Sequence, residues 1–410
     1  MQSYIFFIFV LTLFSLSSYR VVKTDIKTYK IVTISKLEKL DNLDKWWMYF
    51  TPHQAAQFYR SPTFNKIKIE TDKNYLNGLK TSQKCLKADI ERERELRRGI
   101  ELLSVTYFSL KHGKYGGNPD PNLNVYLDNA KKLWLKVVNQ APANKWTDSF
   151  DGKHSGSTCK NKTGWYEGDI TFRKWLSGAI PSYNMIRADL PTRDRRKIDT
   201  WMRDIAAQMW NDRSFPFKHN RGVSRYGQAH LIALVLQDNK LFETYFHDSE
   251  RGFKNKFSSF FNFAPNPPCN KLIETNLKGL TWEHTYKTGV YGRTAIAQFL
   301  DTVSIIAFTA QNGGNKSWDY TKTTKPDFLK EMWKTWYSFA TKDRKRYINW
   351  SHCLEHNKFG QTQTNESNLN DEFWFPFALR DRRFLKVKIW GTDDGISILR
   401  RYRAENTPLD

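Results

Sequence analysis

Two stretches concentrate side chains able to hold an anion and move protons. His219 to Leu234 reads HNRGVSRYGQAHLIAL and offers His219, Asn220, Arg221, Arg225, Tyr226 and His230. Thr281 to Ala310 reads TWEHTYKTGVYGRTAIAQFLDTVSIIAFTA and offers Glu283, His284, Tyr286, Lys287, Tyr291 and Arg293 within eleven residues. In each, the polar cluster opens directly into a long apolar-periodic helix. A surface helix has no need of that mixture at its mouth. Arg presents a planar fork of donors that matches a carboxylate, and Asn adds a neutral donor. His and Tyr give and take protons in general acid–base chemistry. Together these types fit proton abstraction beside a carboxylate and point to an enzyme acting on an acidic polymer.

The composition agrees with that direction. The 410 residues carry 65 Lys+Arg against 42 Asp+Glu, a net charge of +23. Such a field captures polyanions. Nucleic acid, anionic lipid and acidic polysaccharide all qualify. The cations are spread along the chain and no zinc-finger or RNA-motif spacing is visible, so nucleic acid is not expected as a partner. A basic surface that serves solubility alone is the plain alternative. Hydrophobic residues at 40% and charged residues at 26% exclude wholesale disorder. Aromatics at 15% fill cores and also line sugar-binding grooves.

Residues 1–18 read as a secretory signal. Ile5 to Ser18, IFFIFVLTLFSLSS, is a continuous apolar run ending in small residues and too short for a membrane span. A secreted or periplasmic chain with no stable membrane insertion after signal removal is expected, with residues 19–410 forming one catalytic domain. Sequons at Asn161, Asn315, Asn349 and Asn365 agree with export. Cys85, Cys159, Cys269 and Cys353 have no metal-ligand spacing; an even count permits two disulfides in any of three pairings. Neither a metal nor a cofactor is expected.

The elements that must position the two clusters are helices. YKIVTISKL, within residues 19–45, is strand-like. From about Lys84 the pattern turns helical: CLKADIERERELRRGIELLSVTYFSL has apolar residues at helical spacing with charges on the other face. Val125 to Gln140 is a second amphipathic helix. Residues 141–168 form a Gly-, Ser- and Lys-rich loop without periodicity, a candidate lid. From Phe172, FRKWLSGAIPSYNMIRADL predicts a helix interrupted at Pro181. The next starts at Pro191, with Thr192 or Asp194 near its cap. Helices follow over Tyr226–Lys240, Leu241–Phe261, Tyr291–Ala310 and Phe328–Thr341. A short strand is expected from Phe384 (FLKVKIWGTD). Successive helical hairpins without βαβ alternation predict an all-α fold, an (α/α) toroid or incomplete barrel.

The order of motifs is a Cys-led helix CLKADIERERELRRGIELLS, then WLSGAIPSYNMI, then TWMRDIAAQMW, then an Asn-basic cluster entering a helix, then E-x7-Y-G at Glu283 and Tyr291. From Tyr59 to Tyr320 this resembles the alginate lyase superfamily, polysaccharide lyase family 5 and related (α/α) toroid lyases. In that family an Asn-His pair begins one active-site helix, and an Arg and a Tyr, about two helical turns apart, precede another. Asn220 keeps the Asn, with Arg221 where the His would stand. Tyr291 matches the Tyr, followed by Gly292 and Arg293 where a His is common. The family's Arg falls near His284, with Lys287 the other candidate.

The resemblance implies β-elimination of a uronate polymer, with an anionic polysaccharide as substrate and alginate foremost. The proton alpha to a charged carboxylate is weakly acidic, so that carboxylate must be neutralised and the enolate-like charge stabilised. Asn220 and Arg221 take that role, with Arg225 and Tyr226 in support. Tyr291 serves as base and acid if His284, Lys287 and Arg293 lower its pKa from about 10; alternatively His284 is the base and Tyr291 the acid. Glucuronan or a glycosaminoglycan as substrate, or polyanion binding without catalysis, are the competing readings. Plainer roles stand beside each residue. His230 reads as a satisfied buried histidine, Tyr226 as core or sugar platform, Glu283 as a partner of Arg293 or a cap, and DRRKID (Asp194 to Asp199) as a solvated face. Lys153 and His154 belong to the candidate lid.

Overall fold

Helix starts are written in the local sequence. The computed structural model describes residues 48, 51–77, 90–113, 119–140, 168–211, 220–248, 250–251, 261–262, 280–281, 399, 402 and 406. Helix α1, Pro52–Tyr59, opens on a capping box. Thr51 Oγ1 accepts from the Gln54 N–H at 3.3 Å, and the Thr51 N–H donates to Gln54 Oε1 at 3.0 Å. Helix α2, Pro62–Tyr75, repeats the device with Ser61 Oγ accepting from the Phe64 N–H at 3.2 Å. In both, Pro opens the first turn, where its missing N–H is harmless. Among the described residues helical order is therefore present from Pro52, ahead of the helical pattern expected from about Lys84.

The chain continues as α3 Ile90–Gly113, α4 Leu123–Gln140, α5 Gly168–Ile186, a 3-10 turn Arg187–Asp189, α6 Thr192–Asn211, α7 Asn220–Val235 and α8 Asn239–His247. The extended pairing among the described residues is one antiparallel contact of β1 Phe261–Asn262 with β2 Leu280–Thr281. The described fold is thus all-α. None of its helices is long and apolar enough to cross a membrane. The signal at 1–18, the strand-like segments near Tyr29 and Phe384, loop residues 141–167, the helices expected over Tyr291–Ala310 and Phe328–Thr341, and the four cysteines lie outside the described residues.

Helix α3 packs against α1, α2, α4 and α5. Its residues 101–110 are all buried, so the one-sided amphipathic helix expected there is enclosed on every face over its C-terminal half. Small polar residues permit this, and Thr106 Oγ1 meets Thr71 Oγ1 at 3.0 Å. Helices α3 and α5 run in the same direction. Arg97 and Glu101 lie against Gly178, while Lys111, about three turns on, pairs with Asp189 at 2.5 Å just past α5. Helix α6 reverses across the 3-10 turn, and α7 reverses again. Trp210 meets Tyr226 and His230, whereas Arg203 pairs with Asp238 beyond the end of α7 at 3.2 Å. Helices α3, α5 and α7 therefore form a parallel layer, with α5 touching both others; α4 and α6 pack together and run against it.

The expected interruption at Pro181 does not occur: α5 passes through it. Proline removes one donor and pushes on the carbonyl four residues back, a cost of about 3 kcal/mol. Residues 178–186 are all buried between α3 and α7, and that packing outweighs the local defect. At α6, Leu190 takes the extended backbone that a following proline favours. The Pro191 carbonyl accepts from the Arg195 N–H at 2.9 Å, so Thr192 and Asp194 fall in the first turn as expected. The DRRKID run is solvated at Arg196 and Lys197 but ends in a buried carboxylate. Asp199 is 8% exposed, accepts from Tyr183 Oη at 2.8 Å, and takes both Arg187 Nε and Nη2 at 3.0 and 2.9 Å.

Helix α7 starts at Asn220, ahead of the predicted Tyr226, so the residues from Asn220 to Tyr226 lie within the helix, and two helix C-termini also differ from expectation. The α7–α8 break falls at 236–238, ahead of the predicted boundary at Lys240. Gln237 stands at φ 56°, its N–H donating to the Leu234 carbonyl at 3.0 Å and the Asp238 N–H to the Ala233 carbonyl at 3.1 Å. That is a Schellman termination. Asp238 Oδ1 then accepts from the Leu241 N–H at 3.0 Å and starts α8. Helix α8 ends at His247, short of the predicted Phe261, because Asp248 Oδ1 accepts from the Glu250 and Arg251 N–H groups and turns the chain. Since a left-handed backbone costs a non-glycine residue roughly 1 kcal/mol or more, Gln237→Gly is expected to raise the melting temperature by about 2 °C, as read by circular dichroism; a fall would contradict this account of the turn.

Candidate functional site

Asn220 and Arg221 occupy the first two positions of α7. Because α3, α5 and α7 run parallel, their N-termini face one end of the layer. The first turn of a helix carries a partial positive charge of about +0.5. That end of the layer favours an anion before any side chain is counted. Arg225 lies one turn beyond Arg221, and Gln228 nearly one turn further on the same face. Arg225 is 2% exposed and Gln228 is likewise buried.

The opposite side of α7 meets an aromatic cluster. Trp210 lies edge-on to Tyr226 with ring centroids 5.5 Å apart and stacks on Tyr245 at 4.2 Å. The Arg251 guanidinium sits over the Trp210 ring, 5.1 Å from its centroid, and also donates to the Trp210 carbonyl. Tyr226 is buried among these rings, so of its two anticipated roles it occupies the core position. His230 is fully buried, with Nδ1 2.6 Å from the Tyr226 carbonyl and the Trp210, Phe242 and Tyr245 rings around it. It is the buried core histidine anticipated from its apolar run, with Nδ1 engaged by the Tyr226 carbonyl. Burial pulls its pKa down to about 4, against the opposing pull of hydrogen bonds to the Tyr226 and Tyr245 backbone.

A second polar group, not anticipated from the sequence, lies between α3 and α5. Glu101 is 1% exposed, 3.2 Å from Arg97 Nε one turn earlier. Its carboxylate rests on Gly178, where a β-carbon would strike Glu101 Oε1 and stand 2.8 Å from Cδ. The signal was present in SGAIPS as a glycine within an otherwise apolar-periodic helix, but a glycine does not name the residue it faces. Further along α3, His112 is held below its usual pKa by burial and by Lys111.

His219, His284, Lys287, Tyr291 and Arg293 lie outside the described residues. The described chain reaches Thr281 in β2, just before the second cluster. Of the eight residues singled out for catalysis or binding, Asn220, Arg221, Arg225 and Tyr226 lie on α7, with Tyr226 turned into the aromatic core on the side away from Arg225. No family model matches the chain, and a search of curated proteins finds no match.

Two outcomes follow from these contacts. Gly178→Ala gains up to about 1 kcal/mol of helix propensity but forces Glu101 off Arg97. A net destabilisation of about 1–3 kcal/mol is expected in urea titration. For His230, the unfolded chain binds a proton near pH 6.5 and the folded chain only near 4. Its contribution is complete above 6.5 and is lost as pH falls to 4. His230→Gln should therefore flatten the decline in melting temperature over that window; an unchanged slope would exclude His230 as its source.

Proposed function

We propose that the chain is an exported polysaccharide lyase of the alginate lyase type, folded as an (α/α) toroid or incomplete barrel, that cleaves an acidic uronate polymer, alginate foremost, by β-elimination. The observation that carries this reading is the parallel layer of α3, α5 and α7, whose N-termini share one end, with Asn220 and Arg221 in the first turn of α7. Parallel inner helices joined through antiparallel outer ones are what successive α-hairpins of a toroid require. The motif order and the net charge of +23 support the same reading.

The helix end and Arg221 neutralise the substrate carboxylate, and Asn220 adds a donor that strengthens as charge moves onto the carboxylate oxygens. A base, Tyr291 or His284, removes the proton alpha to the carboxylate. The electron pair becomes a carbon–carbon double bond as the bond to the 4-linked oxygen breaks, and Tyr291 returns a proton to that oxygen. The chemistry rests on the cations and proton carriers of the chain itself.

The test is ultraviolet absorbance of the mature chain with alginate, glucuronan and hyaluronan. A rise on one polymer identifies the unsaturated product and the substrate class. Tyr291→Phe is expected to lower the rate about 10²–10⁴-fold with an unchanged melting temperature. Absence of product across all three polymers, with salt-sensitive binding retained, would replace the lyase reading with polyanion binding.

A further inference from the structure

Helix α6 divides cleanly along its length. Ile198, Trp201, Met202, Ile205, Ala206, Met209 and Trp210 are buried at helical spacing. Arg193, Arg196, Lys197 and Arg203 lie on the exposed stripe opposite. Helix α4 packs beside it, with Lys132 and Asn139, seven residues apart, on one exposed face. Lys197 Nζ donates to Asn139 Oδ1 at 2.5 Å and joins the two stripes into one surface. Among the described residues no carboxylate pairs with Lys132, Arg193, Arg196 or Lys197. The acids nearby are Asp128, taken by Lys131 at 2.8 Å, with Asp194 and Asp204 on α6. Arg203, further along, is engaged by Asp238.

This surface is remote from the candidate site. Helix α6 has 20 residues and is about 30 Å long. It runs antiparallel to α7, and Arg203 already reaches the far end of that helix at Asp238. Arg193, Arg196 and Lys197 therefore lie at the end opposite Asn220. Cations that face water, are not neutralised and line two adjacent helices attract a polymer of repeating charge over several of its units.

We propose that the exposed faces of α4 and α6 form a basic track that docks a stretch of carboxylated polysaccharide outside the cleavage site. The proposal rests on the reading of the ligand as an acidic polymer but not on catalysis. A chain held there would raise the local concentration of substrate at the N-terminal end of the helix layer. Long polymers gain from it and short oligomers do not.

The experiment titrates alginate onto the full chain carrying Tyr291→Phe, so that the polymer stays intact. A second protein adds Lys132→Gln, Arg193→Gln, Arg196→Gln and Lys197→Gln. A control removes the same charge elsewhere through Arg60→Gln, Lys66→Gln, Lys73→Gln and Lys240→Gln, all exposed. All eight positions face solvent, and equal melting temperatures check the fold. The track variant should lose roughly tenfold or more in affinity at low salt, with a shallower salt dependence. The control should lose less than half as much on a logarithmic scale. Equal losses in both would reduce the track to diffuse net charge and overturn the proposal. Displacement of alginate by single-stranded nucleic acid of equal charge at lower concentration would also overturn it. Loss of affinity in the track variant, from a chain that yields no unsaturated product with Tyr291 restored, would sink the lyase reading and leave the track standing. Turnover with unchanged affinity in the track variant would do the reverse.

Discussion

The enclosure of α3 governs the rest of the structure. Residues 101–110 have no exposed face, and four helices pack around α3. Each fully buried large apolar side chain there contributes roughly 1.5–3 kcal/mol by leaving water. Leu102, Leu103, Val105, Phe108 and Leu110 supply that drive. The polar residues between them must be small or engaged. Ser104 and Ser109 are small, Thr106 meets Thr71, and Glu101 meets Arg97. Glycine at 178 then lets α5 approach the Glu101 carboxylate directly. With α5 set parallel to α3, the position and direction of α7 follow through α6.

Buried charge fixes the turns that make this layering specific. Asp199 receives two guanidinium donors and a phenol, which holds the end of α5 against the start of α6. Burial, with the Asp199 carboxylate beside it, keeps the Tyr183 proton in place well above its ordinary range. Lys111 and Asp189 pin the same turn to α3, and burial beside Asp189 raises the Tyr107 pKa as well. On the other side of α3, Arg98 pairs with Glu70, and Asp72 accepts from both Lys68 and Tyr126. Such pairs add little net stability where they are half-exposed. Their value lies in direction and register, because a shifted helix would leave a charge desolvated without its partner.

The polar mouth of α7 and its packed flank serve different ends on one helix. Toward its start, Asn220 and Arg221 stand where the helix charge favours an anion. Further along, Tyr226 and His230 enter an aromatic cluster with Trp210, Phe242 and Tyr245, and the helix becomes part of the core. That buried second half anchors the helix to the core.

Periodicity was enough to identify α4 and the enclosed stretch of α3, because both carry long apolar spacings. The pattern of α6 was legible to its first turn, from Pro191 through Asp194, since capping and proline geometry act locally. Helices α1 and α2 were equally marked by T-P-x-Q and S-P, but their weak apolar stripes hid them from a reading based on periodicity. The α7–α8 boundary escaped because Gln237 takes a left-handed backbone that glycine ordinarily marks. Pro181 misled for the opposite reason: a local penalty was overridden by burial on both sides.

By itself the sequence determined what is local or summed: helical class, the starts of α4 and α6, the charge of the chain, and the residue types gathered around Asn220. It also marked His230 as core, since an apolar run surrounds it. Only tertiary structure decided which charges are buried, that Glu101 rests on Gly178, that Asp199 rather than its neighbours carries the α5–α6 junction, and that Tyr226 joins the aromatic core. These outcomes depend on which helix faces which, and burial energies are settled between elements distant in sequence. A spacing of residues sets the face of a helix, but the partner of that face is chosen by the packing of the whole layer.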